Sequence, residues 1–418
     1  MHFRWITAAL LVILLTTAPV DSQKRRKGER KKESEATTAA PKVEVKQEGG
    51  GGGGRRSGRH TTTTTTTTPP TTLAVAEEEV EEEIQITNES RSPVNVCPPE
   101  LKPQEGKILP CTCRDELDEN ALMIECVALT SAQQMHKIFN TLLLGKRIDA
   151  LEVRNSTLGP LLARQTAQAY VGNMLMRGNE ITELVHNTFQ GTDQIVGRLD
   201  LSSNRLTRVN FSMFDSFTQL QVLNLGENQL TNIEDAGQAP SLRVLYLYSN
   251  KIDTIAPKAF RRLGALEYLD LRWNNLQVLA PGAFHVSSDR WQLRLRANQL
   301  SSLEQAFSED NMPYLVDLSL NNIASLTDNI YGPIIDSAIL EGSKFYVAGN
   351  PIACDCSLAW LVKNARLLSI VVGARCDGDG SPIADLGLDD FRKCPPPRPW
   401  KSQLDKTLAE LAKDNETK

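Results

Sequence analysis

Between Cys126 and Cys354 the sequence has no cysteine, although the chain carries eight. All eight lie in two groups of four, one on each side of that gap. Histidine is scarce: there are five, with His2 and His60 far toward the N-terminus and His136, His186 and His285 isolated. No serine or cysteine nucleophile motif stands beside any of them. A glycine-rich phosphate loop is missing as well, because Gly49 to Gly54 leads into no helix. These absences leave nothing to carry catalysis, so no catalytic residue and no cofactor are assigned. A formal net charge of −5 argues against general nucleic-acid binding by the folded part. Beyond the N-terminus no segment reaches the length of apolar sequence a membrane helix needs, and the polar C-terminus carries no lipid-anchor signal.

What is present begins with an address. Arg4 precedes the apolar run Ile6 to Leu15, and Val20-Asp21-Ser22 offers small residues suited to signal peptidase. Ten residues are too few for about 30 Å of hydrocarbon, so residues 1–22 are expected to be a signal peptide and the protein to be secreted. Residues 23–96 then run through basic blocks (Lys24 to Lys27, Arg30 to Lys32), a glycine block, eight threonines (Thr61 to Thr68) and an acidic block (Glu77 to Glu83). Such sequence cannot bury enough apolar surface to offset chain entropy, and is expected to be a disordered tail whose Thr/Pro part is O-glycosylated. The basic cluster reads as solvated spacer, with sulfated-glycan binding or proteolytic trimming as the sharper alternatives.

The rest is periodic. Leu242-x-x-Leu245-x-Leu247-x-x-Asn250-x-Ile252 recurs 24 residues later as Leu266-x-x-Leu269-x-Leu271-x-x-Asn274-x-Leu276. The Leu-x-Leu alternation gives a strand with one buried face, and a buried Asn can satisfy a backbone donor and acceptor where the chain turns. Counted at the Asn slot, copies occur at Ser156, Asn179, Asn204, Asn228, Asn250, Asn274, Asn298, Asn321 and Asn350, in steps of 23, 25, 24, 22, 24, 24, 23 and 29 residues. This is the signature of a leucine-rich repeat, whose units must stack to cover their apolar edges. Two copies deviate: Ser156 replaces Asn in what reads as an edge repeat with less buried, and two residues are missing between Leu320 and Asn321. The fold class is therefore an α/β solenoid, a horseshoe with a parallel concave β-sheet over residues 148–344.

Its ends carry the cysteines. Cys97, Cys111, Cys113 and Cys126 fall in an N-cap at 97–147; Cys354, Cys356, Cys376 and Cys394 fall in a C-cap at 345–394, ahead of a polar tail at 395–418. The Cys-x-Cys spacing without nearby His fits disulfides rather than zinc. Four cysteines allow three pairings in each cap. Cys111-Thr-Cys113 before the repeats and Asn350-Pro-x-x-Cys354-Asp-Cys356-x-Leu-x-Trp360 after them resemble the flanking modules of extracellular leucine-rich repeat proteins, the group of Slit, Toll-type ectodomains and small proteoglycans. That resemblance implies the pairs Cys97–Cys113, Cys111–Cys126, Cys354–Cys376 and Cys356–Cys394. The N-cap and Leu151-Glu-Val-Arg-Asn-Ser-Thr-Leu158 are also similar to arthropod proteins named after the non-catalytic subunit of a crustacean (Oplophorus) luciferase. In those the repeat chain carries no catalysis and accompanies another polypeptide.

In each repeat, residues beside and between the strand leucines point off the core, and stacking merges them into a concave binding surface. Read in order, this singles out Arg177, Tyr246, Tyr248, Tyr268, Asp270, Arg272, Trp273, Arg294 and Arg296 as a partner site, since Tyr, Trp and Arg dominate binding hot spots. The alternative is that the tyrosines merely favour strand and that Asp270 pairs internally with Arg272 or Arg294. Expected partners are an extracellular protein or glycan, or a companion subunit. Sequons stand at Asn88, Asn155, Asn210 and Asn415. Asp377-Gly378-Asp379-Gly380 lacks the further carboxylates of a calcium loop and reads as a turn, so no metal is assigned. Leu404, Leu408 and Leu411 have helical spacing and read as a frayed tail helix.

Overall fold

The computed structural model describes residues 97–103, 109–114, 122–166, 169–307 and 312–395. The expected signal peptide, the tail 23–96, Asn88, Asn415 and the terminal leucines lie outside the described residues. One 12-stranded sheet organises the fold. Its strands, in spatial order and chain order alike, are β1 (Cys111–Arg114), β2 (Met123–Val127), β3 (Arg147–Arg154), β4 (Tyr170–Leu175), β5 (Arg198–Asp200) and β6 (Val222–Asn224). Then come β7 (Val244–Tyr246), β8 (Tyr268–Asp270), β9 (Gln292–Arg294), β10 (Leu315–Asp317), β11 (Phe345–Tyr346) and β12 (Val371–Val372). β1 and β2 pair antiparallel, and every later neighbour is parallel.

Register follows the apolar pattern. Leu151, Met174, Leu199, Leu223, Leu245, Leu269 and Leu293 stand side by side across β3 to β9, and all are fully buried. A one-residue slip on any strand would turn this column outward, so burial fixes the pairing. The column continues through Val316 and Phe345, not through Leu318 and Leu320. The apparent gap before Asn321 therefore disappears: Val316 holds the first leucine slot, Leu318 the second, and Asn321 follows at the regular spacing. Leu320 is 41% exposed and lies outside the core.

The turn after each strand is built by the Asn. Asn274 is nearly buried; its Nδ2 donates to Leu247 O and Leu271 O (both 3.0 Å), and its Oδ1 accepts from Ile252 N (3.0 Å). One side chain thus ties its own repeat to the preceding one, and Asn204, Asn228, Asn250, Asn298, Asn321 and Asn350 repeat the arrangement. Ser156 does a shorter version of the same task. It is 2% exposed, so the edge repeat is no less buried there; its Oγ donates to Arg154 O (2.9 Å) and accepts from Leu129 N (3.0 Å). Just before the Asn slot, every repeat from Asn155 (φ 50°) to Gly349 (φ 72°) places a left-handed residue. An L-residue there costs about 1–2 kcal/mol, which the Asn hydrogen bonds hold in place.

The convex side is filled by phenylalanines in edge and stacked contact, Phe214 with Phe217 at 5.5 Å and Phe260 with Phe284 at 6.3 Å. The 29-residue step before Asn350 accommodates a helix, Asp328–Leu340, which buries Tyr331, Ile334, Ile335 and Ala338 behind β10 and β11. At the N-terminal end helix Ala132–Leu142, between β2 and β3 in the chain, buries Met135 and Phe139, with Ser131 capping it by accepting from Gln134 N. Disulfides join Cys97 to Cys113, Cys111 to Cys126, Cys354 to Cys376 and Cys356 to Cys394, flanking the repeats at both ends. In the C-cap the buried Trp360 donates from Nε1 to Leu326 O (2.8 Å), fastening the cap to the last full repeat. Asp377 to Gly380 form a turn in which Asp379 accepts from Ser381 N and Oγ. Among the described residues no helix is long and apolar enough to cross a membrane, and no group of His, Cys, Asp and Glu is placed to hold a metal ion.

Candidate functional site

The concave face is read in columns, because parallel pairing sets equivalent residues side by side about 4.8 Å apart. The column between the two core positions runs Glu152, Leu175, Asp200, Asn224, Tyr246, Asp270, Arg294, Asp317. Where it holds Asp or Asn, the side chain curls back onto its own strand end. Asp200, Asn224, Asp270 and Asp317 each accept, at 3.0 Å, the backbone N–H two residues on. Asp270 is therefore under the surface, not on it. Its side chain is fully buried, and it grips Arg272 through Nε (2.9 Å) and Nη2 (2.6 Å). This corrects the expectation that Asp270 faces a partner; the internal pairing with Arg272 holds instead. That hydrogen-bonded pairing, ahead of all other causes, lifts the Arg272 guanidinium above its ordinary range.

Where the column holds Tyr or Arg, the side chain has no such backbone task and lies on the face. Tyr246 meets Tyr268 at 5.6 Å and Tyr248 at 6.1 Å between ring centroids. Arg294 stands over the Tyr268 ring at 5.9 Å, just inside the range of a cation–π contact. Tyr248 lies flat where Gly226 leaves room; a Cβ at Gly226 would come within 2.5 Å of the ring. Glycine at that place is what lets the third tyrosine join the cluster. Burial, followed by the charge of Asp270, pushes the Tyr268 phenol up to about 12 and raises Tyr246 in the same direction. Burial raises Tyr248 too, against a hydrogen bond from Asn224 and the nearby Arg177 that lower it.

The arginines differ in availability. Arg154 pairs with Glu125 and Glu152, Arg198 stands 3.8 Å from Asp200, and Arg272 is held by Asp270. Arg177 and Arg296 form no ion pair with the described residues, and Arg294 adds only a 3.4 Å contact to Gln292. The result is a half-buried aromatic floor with Arg177 on one side and Arg294 and Arg296 on the other. Trp273 stands apart on the rim, 55% exposed. Asn155 follows β3 on the same rim and is exposed, whereas Asn210 caps a short helical turn elsewhere in its repeat, accepting from Ser212 N (3.2 Å).

Two features of this face were hidden in the sequence. Leu320 looks like a core leucine until β10 is placed by Val316. At the start of β9, Trp291 takes a core position, which leaves the Arg290 guanidinium 4.4 Å from the Tyr314 ring and 2.7 Å from Glu341.

The leucine-rich repeat family model matches residues 196–239 and 240–300. The chain is 24% identical over 306 residues to the Oplophorus-luciferin 2-monooxygenase non-catalytic subunit of Oplophorus gracilirostris, covering 66% of this chain and 83% of that one. To mouse podocan it is 31% identical over 185 residues, covering 44% of this chain and 28% of podocan, well under a third of that protein's length. Among solved structures, a chain of the octameric complex of latrophilin 3, Unc5D and FLRT2 aligns with a TM-score of 0.46 at 18% identity, over 67% of this chain and 92% of that chain. Sheet, asparagine ladder and the repeat model's match to residues 196–239 and 240–300 show a leucine-rich repeat fold, with disulfide-bonded segments flanking the repeats at both ends.

Proposed function

We propose that this chain is a secreted, non-enzymatic recognition protein that holds an extracellular protein or glycan on its concave face. One observation carries the reading: three half-buried tyrosines in ring contact, Tyr248 seated on Gly226, with Arg294 over the Tyr268 ring and Arg177 and Arg296 without an ion pair among the described residues. Such a surface offers large rigid contact area with polar edges, the chemistry of binding hot spots. Secretion is supported by the signal-peptide pattern and by eight cysteines all engaged in disulfides, which persist in oxidising compartments. A second reading is favoured by the name of the crustacean relative: a non-catalytic subunit that meets a companion chain through the same face. A matrix role through the charged tail is the third, and salt separates it. Tail-driven association weakens steeply with ionic strength, whereas an aromatic-centred contact does not.

The test is to substitute Tyr246, Tyr268 and Arg294 by Ala and compare co-purification of partners from native extracellular fluid. The triple variant is expected to fold and to lose the partner. Full retention by a folded variant removes this reading.

A further inference from the structure

Placing Leu320 on the surface changes the rim of the concave sheet. Trp273 (φ 58°) and Leu320 (φ 59°) both occupy the left-handed position before the Asn slot, and they are 55% and 41% exposed. Elsewhere that position holds Asn155, Gly178, Ser203, Glu227, Ser249, Ala297 and Gly349, residues that are small or polar. A bulky apolar side chain there gains no backbone ease and only partial burial: Leu320 leans its Cδ2 over Gly349, where a Cβ would come within 2.6 Å of it, and Trp273 stays more than half exposed. Folding alone would favour Gly or Asn at such a site. A left-handed backbone and residual exposure, twice on the same edge, leave apolar surface open to a contact outside the chain.

The two residues are two repeats apart with Ala297 between them. Backbone hydrogen bonds lock all three into line: Trp273 N to Arg296 O (2.9 Å), Ala297 N to Ser319 O (2.9 Å) and Leu320 N to Ala348 O (2.7 Å). Two strand spacings separate the bulky walls by roughly 10 Å, about the room of one side chain over an alanine floor. Immediately inward sits Arg296, whose side chain makes no hydrogen bond or ion pair with the described residues, and beside it Arg294. Among the described residues of this column the neighbouring acids are Asp270, held by Arg272, and Asp317, which accepts from Ser319 N (3.0 Å). The notch is thus apolar at its rim and net positive behind it.

We propose that Trp273, Ala297 and Leu320 form an anchor notch for a protein segment in which an apolar side chain stands next to a carboxylate. The apolar side chain seats on Ala297 between the two walls, and the carboxylate meets Arg296. This rests on the concave-face reading, of which it names the partner chemistry. Charge complementarity disfavours basic segments, and the apolar walls give nothing to a sugar chain.

A displayed library of random peptides about a dozen residues long, selected on the full chain, tests it. Enriched peptides are expected to carry Asp or Glu adjacent to Leu, Ile, Phe or Trp. Trp273→Gly and Leu320→Gly are each expected to weaken a synthesised winner by about tenfold. Because glycine suits the left-handed turn, neither variant should lower the unfolding midpoint. Winners without that residue pairing, or rim variants that bind unchanged, overturn the notch. If Tyr246→Ala abolishes binding while the rim variants keep it, the concave-face reading stands and the notch falls. If only a sulfated polysaccharide binds, the protein-segment proposal falls.

Discussion

Replacing Asp270 separates its two tasks. The carboxylate accepts the Arg272 N–H at 3.0 Å and clamps the Arg272 guanidinium. Asp270→Asn keeps the first task, and the protein contains its own control: Asn224, in the equivalent place, accepts Gly226 N at the same 3.0 Å. The substitution removes the ion pair. Hydrogen bonds to charged groups contribute about 1.5–3 kcal/mol, but Arg272 is 39% exposed and water replaces part of the loss, while a buried charge is relieved. A net cost of about 1 kcal/mol follows. Asp270→Ala also orphans the Arg272 N–H, adding about 1–3 kcal/mol. The expected order of urea midpoints is wild type, then Asn, then Ala, with the larger step between Asn and Ala. Spectrophotometric titration of Asp270→Asn should also show the Tyr268 phenol falling below its raised value yet staying elevated, because burial is the larger cause. Equal midpoints for the Asn and Ala variants would refute the strand-end role of Asp270. An unshifted Tyr268 would refute its electrostatic reach.

Other perturbations probe other layers of the structure. Asn274→Ala strips the partner from Ile252 N, Leu247 O and Leu271 O, and should cost about 3 kcal/mol or more in chemical unfolding, well beyond a surface substitution. With Tyr246, Tyr248 and Tyr268 all raised in the fold, the folded state holds phenol protons that the unfolded chain releases near pH 10. Stability should be intact below pH 10 and decline between pH 10 and about 12, measured as urea midpoint against pH. Mild reduction followed by alkylation and peptide mass spectrometry should label the exposed Cys356 and half-buried Cys394 before the N-cap cysteines, all of which are buried.

The repeat was legible because its rule is local: alternating leucines, an Asn at fixed distance, cysteines beyond both ends. Reading failed where a residue of the expected type stood next to the expected place. Leu318 and Leu320 imitate the strand pair, and only pairing with Leu293 shows that Val316 begins it. Asp270 belongs by spacing to the outward column, yet Asp and Asn in that column bond to the strand end, and Asp200, Asn224 and Asp270 are buried there. Tyr246 and Arg294, too long for that bond, stay on the face. The left-handed turn is invisible in sequence because the residue there varies from Gly to Trp while the conformation persists. Gly226 gave no signal either, since its role exists only relative to Tyr248 on the neighbouring repeat.

The most direct measurement is a hydrogen-exchange footprint of the native chain with its co-purified partner bound, against the chain alone. Protection is expected to concentrate in 244–248, 268–273 and 292–297, where Tyr246, Tyr268, Arg294 and their neighbours converge. Protection confined to the convex phenylalanine side or to the residues before Cys97, with those three segments unchanged, would contradict the concave-face account.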